Sequence, residues 1–276
     1  MQNKIIQFYD SHPINYQQII SSLENKYGGF EFITQNHLSE FDQDHYDGST
    51  AIDLLANILS ISNHHQVLDI GCGVGGSSRY LAYHYGCQVF GLDITQSRIR
   101  AATKLSELSG LNHLVTFQQG DATSMPFSDN EFDRIIGQEA WVHIANKKSL
   151  FKECKRVLKE SGKIGFTDVV IRNTLTPSEL LRLHEGMACY GLVTSNEYEN
   201  ELKQSHFIIE KIEDLSTQWM DILAARLKMY QNLKEHTIKK FGVDYFLKWN
   251  DTYTFYVDLF ANGKLGGIRL IAGPLK

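Results

Sequence analysis

A glycine-rich turn between a short apolar run and a helical stretch constrains this 276-residue chain more than any other feature. Residues 67–70 are predicted as a buried strand, residues 71–76 include four glycines, and residues 77–85 have the spacing of a helix. Without a Cβ, Gly71 and Gly73 would let the backbone approach a ligand closely. A strand that enters such a turn and leaves it as a helix is typical of a parallel α/β sheet with a ligand at the turn.

Short apolar runs alternate with helical stretches from residue 66 onward, and this alternation predicts βαβ units. Helices over 77–85, 97–109 and 148–159 separate the earlier strands. Seven strands are predicted, over residues 67–70, 88–93, 115–118, 132–137, 163–168, 207–215 and 268–272. The fold class we predict is therefore α/β, with a doubly wound, Rossmann-like sheet of seven mostly parallel strands.

The chain divides into two predicted parts. Residues 1–64 lack strand patterns and are predicted as a helical N-terminal arm or lid. Residues 65–276 form the predicted sheet domain, with a helical lid insertion at about 172–205 and two helices within about 217–260. The arm and the insertion are both expected to fold over the ligand end of the sheet, where they would exclude water.

The composition argues against several classes of protein. The formal net charge is 27 − 32 = −5, and the sequence has no basic stripe of the kind that nucleic-acid binders carry. The densest basic cluster, Lys234, Lys239 and Lys240, is predicted as a solvated helix face. Four cysteines stand singly, as free thiols do in a reducing compartment. Since no window of ~18 apolar residues exists and the first residues soon turn polar, we expect a cytoplasmic protein with neither membrane nor nucleic acid as partner.

Two acidic residues make the turn more specific than its glycines alone. Asp69 precedes the turn, and Asp93 ends the next predicted strand, 93 − 71 = 22 residues after Gly71. A carboxylate at that place can accept hydrogen bonds from both ribose hydroxyls of a nucleotide. The glycine spacing by itself fits a dinucleotide as well as other adenosine ligands, so it does not decide between them.

Three later motifs do decide. Gly120-Asp121-Ala122 follows the third strand, residues 125–133 (Met-Pro-Phe-Ser-Asp-Asn-Glu-Phe-Asp) precede the fourth, and residues 156–162 (Arg-Val-Leu-Lys-Glu-Ser-Gly) precede the fifth. Together with the turn, these motifs resemble the class I S-adenosylmethionine-dependent methyltransferases over about residues 65–170. The resemblance implies methyltransferase activity, S-adenosyl-L-methionine as cofactor and S-adenosyl-L-homocysteine as its product.

The resemblance also assigns contacts to the methionine and ribose portions of that cofactor. It implies that Asp69, Gly71, Gly73 and the neighbouring backbone hold the methionine portion. Asp93 would bind the ribose, in agreement with its place at the end of a strand. Gln138, at the end of the fourth strand, would lie near the methionine amino group.

The adenine end of the cofactor is assigned in the same way. The resemblance implies that Ile94 packs on the adenine ring and that Asp121 hydrogen-bonds the adenine amino group. The backbone of Ala122 would lie beside it. The alternatives are plain core packing for Ile94 and a surface turn for Asp121.

Two flanking segments resemble a narrower group of enzymes. Residues 138–143 (Gln-Glu-Ala-Trp-Val-His) and 262–267 (Asn-Gly-Lys-Leu-Gly-Gly) look like those of the sarcosine/dimethylglycine N-methyltransferases. Phosphoethanolamine, tocopherol and sterol methyltransferases are similar enzymes with the same core. We therefore expect N-methylation of a small amine such as sarcosine or dimethylglycine. The alternative within the family is O- or C-methylation of a phenol, a quinol or another natural product.

The acceptor side of the site is predicted from the resemblance and from chemistry. His143 is the candidate catalytic residue, either as a base or as a group that orients the substrate. An amine must lose its proton before it attacks, and imidazole titrates near neutral pH. A core histidine is the alternative. Glu139 falls where phosphoethanolamine methyltransferases carry an acidic residue, and Tyr46 and Trp141 are expected at the substrate, since aromatic faces stabilise a cation. Other aromatic candidates are Tyr190, Trp219 and Tyr253.

Several other interpretations stay open. Asp42, Asp44, His45 and Asp47 crowd one loop, but their spacing matches no calcium loop and we expect no metal. A dehydrogenase that binds NAD at the same turn is one alternative of another class. A protein that binds S-adenosylmethionine without transferring its methyl group is another. The sequence does not decide whether the chain forms a homodimer.

Overall fold

One seven-stranded sheet forms the centre of the molecule in the computed structural model, which describes residues 2–30 and 33–275. Its order is β3-β2-β1-β4-β5-β7-β6. The strands are β1 Gln66–Ile70, β2 Gln88–Asp93, β3 Val115–Gln119, β4 Phe132–Gln138, β5 Leu158–Ile171, β6 Phe207–Asp214 and β7 Leu265–Pro274. β1 to β5 run parallel, and β7 is antiparallel to both of its neighbours. The predicted fold class, a doubly wound α/β sheet of seven mostly parallel strands, is confirmed.

Twelve α-helices lie within the described residues and cover both faces of the sheet. They are α1 Gln2–Asp10, α2 Tyr16–Tyr27, α3 Gln35–Ser39, α4 Gly48–Ile58, α5 Gly76–Tyr85, α6 Gln96–Leu108, α7 Lys147–Val157, α8 Pro177–Met187, α9 Ser195–Gln204, α10 Ser216–Asn232, α11 Lys234–Phe241 and α12 Val243–Ala261. Within the described ranges, no helix combines the length and the apolarity that crossing a bilayer requires.

The strand order creates a crevice beside β1. From β1 the chain moves outward to β2 and β3, and it then returns to place β4 on the other side of β1. Loops that leave the carboxyl ends of strands at such a reversal diverge, and ligands of open α/β sheets bind between them. The glycine-rich turn, residues 71–76, follows β1 directly, so the topology brings it to this crevice.

Two apolar cores lie on opposite faces of the sheet, because side chains alternate along each strand. Leu68 of β1 contributes to the core beneath α7 and α9, and its neighbour Val67 contributes to the core beneath α4 and α5. A strand that is buried on both faces must be apolar almost throughout. This explains why the short run before the turn could be recognised as a strand.

The predicted arm and insertion pack in several places. Of the predicted arm, α2 and α3 pack against α6, whereas α4 packs on the sheet. Of the predicted insertion, α8 packs with α10 and α12 in a third core over β7, and α9 packs in the core of the sheet. The domain boundaries at 64 and at 172–205 stay predictions.

Two details of the secondary structure differ from the prediction. β5 begins at Leu158 instead of Lys163, because Leu158 pairs with Phe132 of β4 before an irregularity in the register. Three helices, instead of two, occupy residues 216–261. The break between α11 and α12 falls at Gly242, whose φ of 92° is incompatible with a continuous helix.

Candidate active site

A cavity of about 480 Å³ lies at the crevice beside β1. The glycine-rich turn and the residues after β1, β2 and β4 line one side of it. The lining also includes Ile5 and Phe8 of α1, Arg226 of α10 and Tyr253 of α12. The first helix of the arm is therefore part of the cavity wall.

The two predicted glycines of the turn serve different purposes. Gly71 has a φ of 80°, and a Cβ at this position would lie 2.3 Å from the Cβ of Ala140. Gly71 is thus required by the packing of two protein loops. A Cβ on Gly73 would meet no atom within 4 Å, and Gly73 lines the cavity. The open space that a ligand can enter therefore lies beside Gly73.

Asp93 is held at the end of β2 by two backbone donors. The Gly73 N–H donates to Oδ2 over 2.9 Å, and the Thr95 N–H donates to Oδ1 over 2.8 Å. Burial raises the pKa of Asp93, and these hydrogen bonds oppose the rise. Each carboxylate oxygen keeps a further lone pair, so Asp93 can accept two more hydrogen bonds from a ligand in the cavity.

Asp69 lies at the base of the turn. Asp69 is only 3% exposed, and its carboxyl group accepts a hydrogen bond from the Ser78 hydroxyl over 2.5 Å. Burial raises the pKa of Asp69 to about 7. Because Ser78 lies in the first turn of α5, this bond fixes the start of α5 against β1. Asp69 therefore orients the turn as well as lining the cavity.

Ile94, Asp121 and Ala122 lie together at another part of the cavity wall. The Asp121 Oδ1 accepts from the backbone N–H and the hydroxyl of Thr123, over 2.8 and 2.7 Å. The Gln2 amide donates to its Oδ2 over 2.6 Å. The start of α1 thus reaches the residues that the sequence assigns to an adenine.

Gln138 ends β4 and carries a buried donor without a partner. Its Oε1 accepts from the Ser77 hydroxyl over 2.7 Å. Its Nε2 has no hydrogen-bond partner among the described residues, although it is buried and the residue lines the cavity. An unsatisfied buried donor costs about 1–3 kcal/mol, which an acceptor on a bound ligand would recover.

His143 lies in a one-turn 3-10 helix, Trp141–His143, and both of its ring nitrogens have partners. Nδ1 is 2.9 Å from the Ala188 carbonyl, and since a carbonyl only accepts, Nδ1 carries the proton. Nε2 is then an acceptor, and the Tyr9 hydroxyl donates to it over 2.7 Å. Burial lowers the pKa of His143 to about 4, so the imidazole is neutral at pH 7.

Lys147 ties the two loops that hold His143. Its ammonium group donates to the carbonyls of Trp141, Ile144 and Gly191, over 2.5, 2.8 and 2.7 Å. The first two carbonyls belong to the His143 turn, and the third belongs to the loop that supplies the Ala188 carbonyl. Burial lowers the pKa of Lys147 to about 8, and the charge of Asp168 opposes the shift.

Glu139 and Tyr46 meet on the cavity wall. Glu139 has a φ of 48°, and its carboxyl group accepts from the Tyr46 N–H over 2.8 Å and from the Thr167 hydroxyl over 2.6 Å. Burial raises the pKa of Glu139 to about 8, so the group is mostly protonated at pH 7. The Tyr46 hydroxyl is 3.2 Å from that of Tyr256. These two residues, each predicted for the acceptor side, lie together in the structure.

An ionised carboxylate and a guanidinium lie in the same part of the cavity. Arg226 donates to the carbonyls of Asp44 and His45, over 3.2 and 2.6 Å. The Asp44 carboxylate is 3.6 Å from Nδ1 of His12. Although burial alone would raise it, the pKa of Asp44 is lowered, because the positive charges around it, that of His12 first, outweigh the burial.

The prediction that Trp141 contacts the substrate is wrong. Its indole is only 1% exposed and stacks on Phe166 at 4.3 Å between ring centroids, within the core beneath the cavity. Two other aromatic candidates, Tyr190 and Trp219, also do not line the cavity. Trp219 instead packs edge-on against Tyr46 at 4.7 Å, so it supports a wall residue from behind.

The acidic loop before α4 does not gather its side chains around one point. Asp42 forms a buried ion pair with Arg79 over 2.7 Å, and Asp47 accepts from an amide of α10. His45 donates to a backbone carbonyl over 2.9 Å. Across residues 2–30 and 33–275, no three His, Cys, Asp or Glu side chains are grouped as a metal site requires.

Sequence reasoning missed two residues of the site, Tyr9 and Arg226. Tyr9 is 134 residues from His143 in the chain, and no motif links the two. The one signal in the sequence was the aromatic pair Phe8-Tyr9 in a segment predicted as a lid. Arg226 lies in a segment predicted as helical, where the sequence offered only aromatic candidates such as Trp219.

Comparison with known proteins adds independent findings. Residues 68–166 match the family model described as a methyltransferase domain. The chain is 30% identical over 162 residues to the glycine/sarcosine/dimethylglycine N-methyltransferase of Actinopolyspora halophila, a match that covers 59% of this chain and 29% of that protein. It is 28% identical over 216 residues to the phosphoethanolamine N-methyltransferase of Plasmodium falciparum, covering 76% of this chain and 80% of that protein. This chain thus spans less than a third of the length of the Actinopolyspora halophila protein.

A solved structure has a similar fold over almost the whole chain. It is phosphoethanolamine N-methyltransferase 2 of Haemonchus contortus in complex with phosphomonomethylethanolamine and S-adenosylhomocysteine. The TM-score is 0.78 at 22% sequence identity, and the match covers 98% of this chain and 60% of that chain. At this identity the likeness concerns the fold, including the arm and the helices after β5.

Proposed function

We propose, from the premise that residues 68–166 are a methyltransferase domain, that this chain transfers a methyl group from S-adenosylmethionine to the nitrogen of a small amine. The family, predicted from the motifs, is confirmed by the domain match and the named relatives. The predicted cofactor is supported by solved structures of similar fold that hold S-adenosylhomocysteine or S-adenosylmethionine. Sarcosine and dimethylglycine, amines that carry a carboxylate, are the acceptors we expect first. The observation that carries the proposal is the pair formed by Tyr9 and His143 in the same cavity as Asp44 and Arg226.

The residues around the turn fit S-adenosylmethionine, which supplies an electrophilic methyl group on a sulfonium. Asp93 offers two free acceptor positions, as two ribose hydroxyls require. The partnerless Nε2 of Gln138 is a donor, so it suits the carboxylate of the methionine portion better than the amino group that the resemblance assigned. Gly73 leaves open space beside the turn. Ile94, Asp121 and Ala122 remain the proposed adenine contacts.

The acceptor side suits a molecule that is both an amine and an acid. The guanidinium of Arg226 is matched to a carboxylate or a phosphate. The Asp44 carboxylate and the faces of Tyr46 and Tyr253 favour a nitrogen that is, or becomes, positively charged. Glu139 adds a carboxyl group next to Tyr46. Such a site binds both the amino group and the acidic group of the acceptor and thereby fixes the orientation of its nitrogen.

The geometry also supports a route for the proton. An amine is protonated near neutral pH, and its lone pair becomes nucleophilic only when the proton leaves. Because the Tyr9 hydroxyl already donates to Nε2 of His143, the ammonium proton would pass to the Tyr9 oxygen while the Tyr9 proton passes to His143. The positive charge then rests on His143, whose Nδ1–H remains bonded to the Ala188 carbonyl. His143 is the proposed base, and Tyr9 is its relay.

The test of this function is methyl transfer from labelled S-adenosylmethionine to a panel of acceptors. The panel contains glycine, sarcosine, dimethylglycine, phosphoethanolamine, and several phenols and quinols. We expect label on an amine that also carries an acidic group. Label on a phenol or quinol would replace N-methylation with O-methylation. Tight cofactor binding without label on any acceptor would favour the alternative of a protein that binds S-adenosylmethionine but does not methylate.

A pair of tyrosine variants tests the proton route. Tyr9→Phe removes the hydroxyl that bonds His143, and we expect kcat to fall by roughly 10²–10⁴-fold, the usual contribution of general-base catalysis. The Kd of the cofactor should stay within about twofold. Tyr16→Phe, in the next helix of the arm, serves as the matched control and should keep full turnover. An unchanged kcat in Tyr9→Phe would exclude the relay.

A further inference from the structure

One end of the molecule exposes an unusual concentration of apolar side chains. Twelve large apolar side chains are exposed among the described residues, and five of them lie within residues 229–247. They belong to the end of α10, to α11 and to the start of α12, a region that we name the apolar tip. The five are Met229, Leu233, Phe241, Val243 and Leu247, with exposed fractions between 43% and 59%.

The five side chains form a patch because of helix geometry. Leu233 follows the last residue of α10, and its N–H donates to the Met229 carbonyl one turn earlier, so these two side chains lie on one side of the helix end. Val243 and Leu247 are four residues apart on α12 and share one face of that helix. The two helices lie side by side at this point, since the rings of Tyr230 and Phe246 stack at 5.3 Å. The Gln231 amide also donates to the Asn250 side chain of α12 over 3.2 Å.

The apolar tip is also the basic end of an acidic protein. Residues 228–248 contain five lysines and two acidic residues, which gives 5 − 2 = +3, whereas the whole chain has a net charge of −5. The remainder therefore carries −5 − 3 = −8. All five lysines are exposed: Lys228, Lys234, Lys239, Lys240 and Lys248.

We infer that the apolar tip docks on the surface of a bilayer that contains anionic lipids. Aliphatic and aromatic side chains flanked by lysines are typical of helices that lie at such a surface, where the apolar side chains enter the headgroup boundary and the lysines approach the anionic headgroups. Lysine is depleted in interfaces between proteins, which argues against a protein partner on this patch. The inference departs from the predicted solvated helix face and from the expectation of no membrane partner.

Docking at the apolar tip would bring the cavity close to the bilayer. The helix that begins in the tip, α12, continues to Trp249 and Tyr253, which line the cavity. The Trp249 ring lies 5.9 Å from that of Phe8 in α1. The wall formed by α1 and α12 thus connects the tip with the site. The inference does not depend on which acceptor is methylated.

Cosedimentation of the full chain with lipid vesicles tests the inference. We expect binding to vesicles of phosphatidylcholine with about 30% phosphatidylserine, weak binding to pure phosphatidylcholine, and a decrease in binding as salt is raised. The variant Val243→Ser with Leu247→Ser should lower the vesicle partition constant at least about tenfold, because it removes buried apolar area. The variant Lys239→Glu with Lys248→Glu should have a similar effect through charge.

Matched control variants distinguish docking at the apolar tip from a general effect of surface charge or apolarity. Leu54→Ser changes an exposed leucine of α4, and Lys148→Glu with Lys152→Glu reverses two exposed lysines of α7, so both should bind vesicles like the unchanged chain. Absence of binding to anionic vesicles, or equal losses in the tip and control variants, would overturn the inference. So would a dimer in solution that Leu247→Ser dissociates, since the patch would then be covered by a second copy.

Discussion

The carboxylate of Asp93 is oriented before any ligand arrives, because two backbone N–H groups hold its two oxygens. A group fixed in this way loses little conformational entropy on binding, and its hydrogen bonds to a ligand are charge-assisted. The same bonds connect the end of β2 to the glycine-rich turn after β1. One residue thus connects the shape of the turn with the proposed ribose contact.

We predict that Asp93→Ala weakens S-adenosylmethionine binding by about 1.5–3 kcal/mol, the usual contribution of hydrogen bonds to a charged group. This corresponds to roughly 10- to 150-fold in Kd. Isothermal titration calorimetry measures the change, and Asp93→Asn, which keeps one acceptor oxygen, should lose less. Asp129→Ala, an exposed aspartate outside the cavity, is the control. An unchanged Kd in Asp93→Ala would refute the ribose contact.

Lys147 lies outside the cavity lining, and we expect it to act on the proposed reaction through His143. Its ammonium group holds the two loops around His143, and its positive charge contributes to the lowered pKa of that histidine. Removal of the ammonium alone would leave the buried Asp168 without its counter-charge. The charges of Lys147 and Asp168 favour each other's ionised form, so the two residues are changed together.

The double variant Lys147→Met with Asp168→Asn should lose some stability, because three carbonyls lose their donor, and should change the pH profile. We expect the pKa of His143 to rise, because the charge that lowers it is gone, and the acid limb of kcat/KM to move to higher pH with it. The KM for S-adenosylmethionine should stay within about twofold, since neither residue lies at the cofactor contacts. An acid limb at its original pH would mean that Lys147 has only a structural role.

At the scale of elements, the parts of the arm are attached by different forces. Helices α2 and α3 bury apolar side chains against α6, and the loop after α3 adds the buried ion pair between Asp42 and Arg79. Helix α1 buries only Ile5 and is held mainly by polar contacts, including those of Gln2 and Tyr9. Elements held in this way open at a lower free energy. We therefore expect α1 to open at a lower free energy than α2 and α3.

A substitution of Gly76, at the start of α5, tests how firmly the loop after α3 is packed against the glycine-rich turn. A Cβ on Gly76 would lie 2.5 Å from the backbone carbonyl of Asp42, so Gly76→Ala must push the arm loop away from the turn. We expect a loss of about 1–3 kcal/mol in the free energy of unfolding, together with weaker cofactor binding. Denaturant unfolding measures the first effect. Gly29→Ala, where a Cβ meets no atom within 4 Å, should be close to neutral.

At the scale of the whole molecule, buried groups with shifted pKa values make stability depend on pH. The pKa of Glu139 is about 8 and that of Asp69 about 7, both raised by burial, so each is more readily ionised in the unfolded chain. Their contribution to stability is complete below the unfolded pKa and is lost as the pH rises through the folded pKa. His143, lowered to about 4, acts in the opposite sense but only between about pH 4 and 6.5.

Between pH 6.5 and 8 the carboxyl groups alone decide the sign, and stability should fall as pH rises. Each such group contributes up to about 1.4 kcal/mol per pH unit. Thermal melts over this range should give a falling Tm for the unchanged chain and a shallower fall for Glu139→Gln. Glu160→Gln, at an exposed position, is the control. Equal slopes for all three proteins would contradict the raised pKa of Glu139.

The sequence predicts the seven strands and the fold class better than it predicts the acceptor side of the site. Asp69, Gly73 and Asp93 could be found because their roles depend on one strand and the turn beside it. Tyr9 could not, because its contact with His143 depends on how the arm crosses the sheet. Trp141 was wrongly predicted at the substrate for a related reason. It is only two residues from His143, but the 3-10 turn points the two side chains in different directions.

The position of β7 sets an order of events during synthesis. This strand lies between β5 and β6 in the sheet, yet the ribosome makes it after both, and after α10, α11 and α12. Until β7 emerges, β5 lacks a neighbour on one side and β6 has none of its pairing. The nascent chain can thus assemble the half that recognises the nucleotide well before the other half closes. During that interval the open strand edges are where we expect a chaperone to be needed.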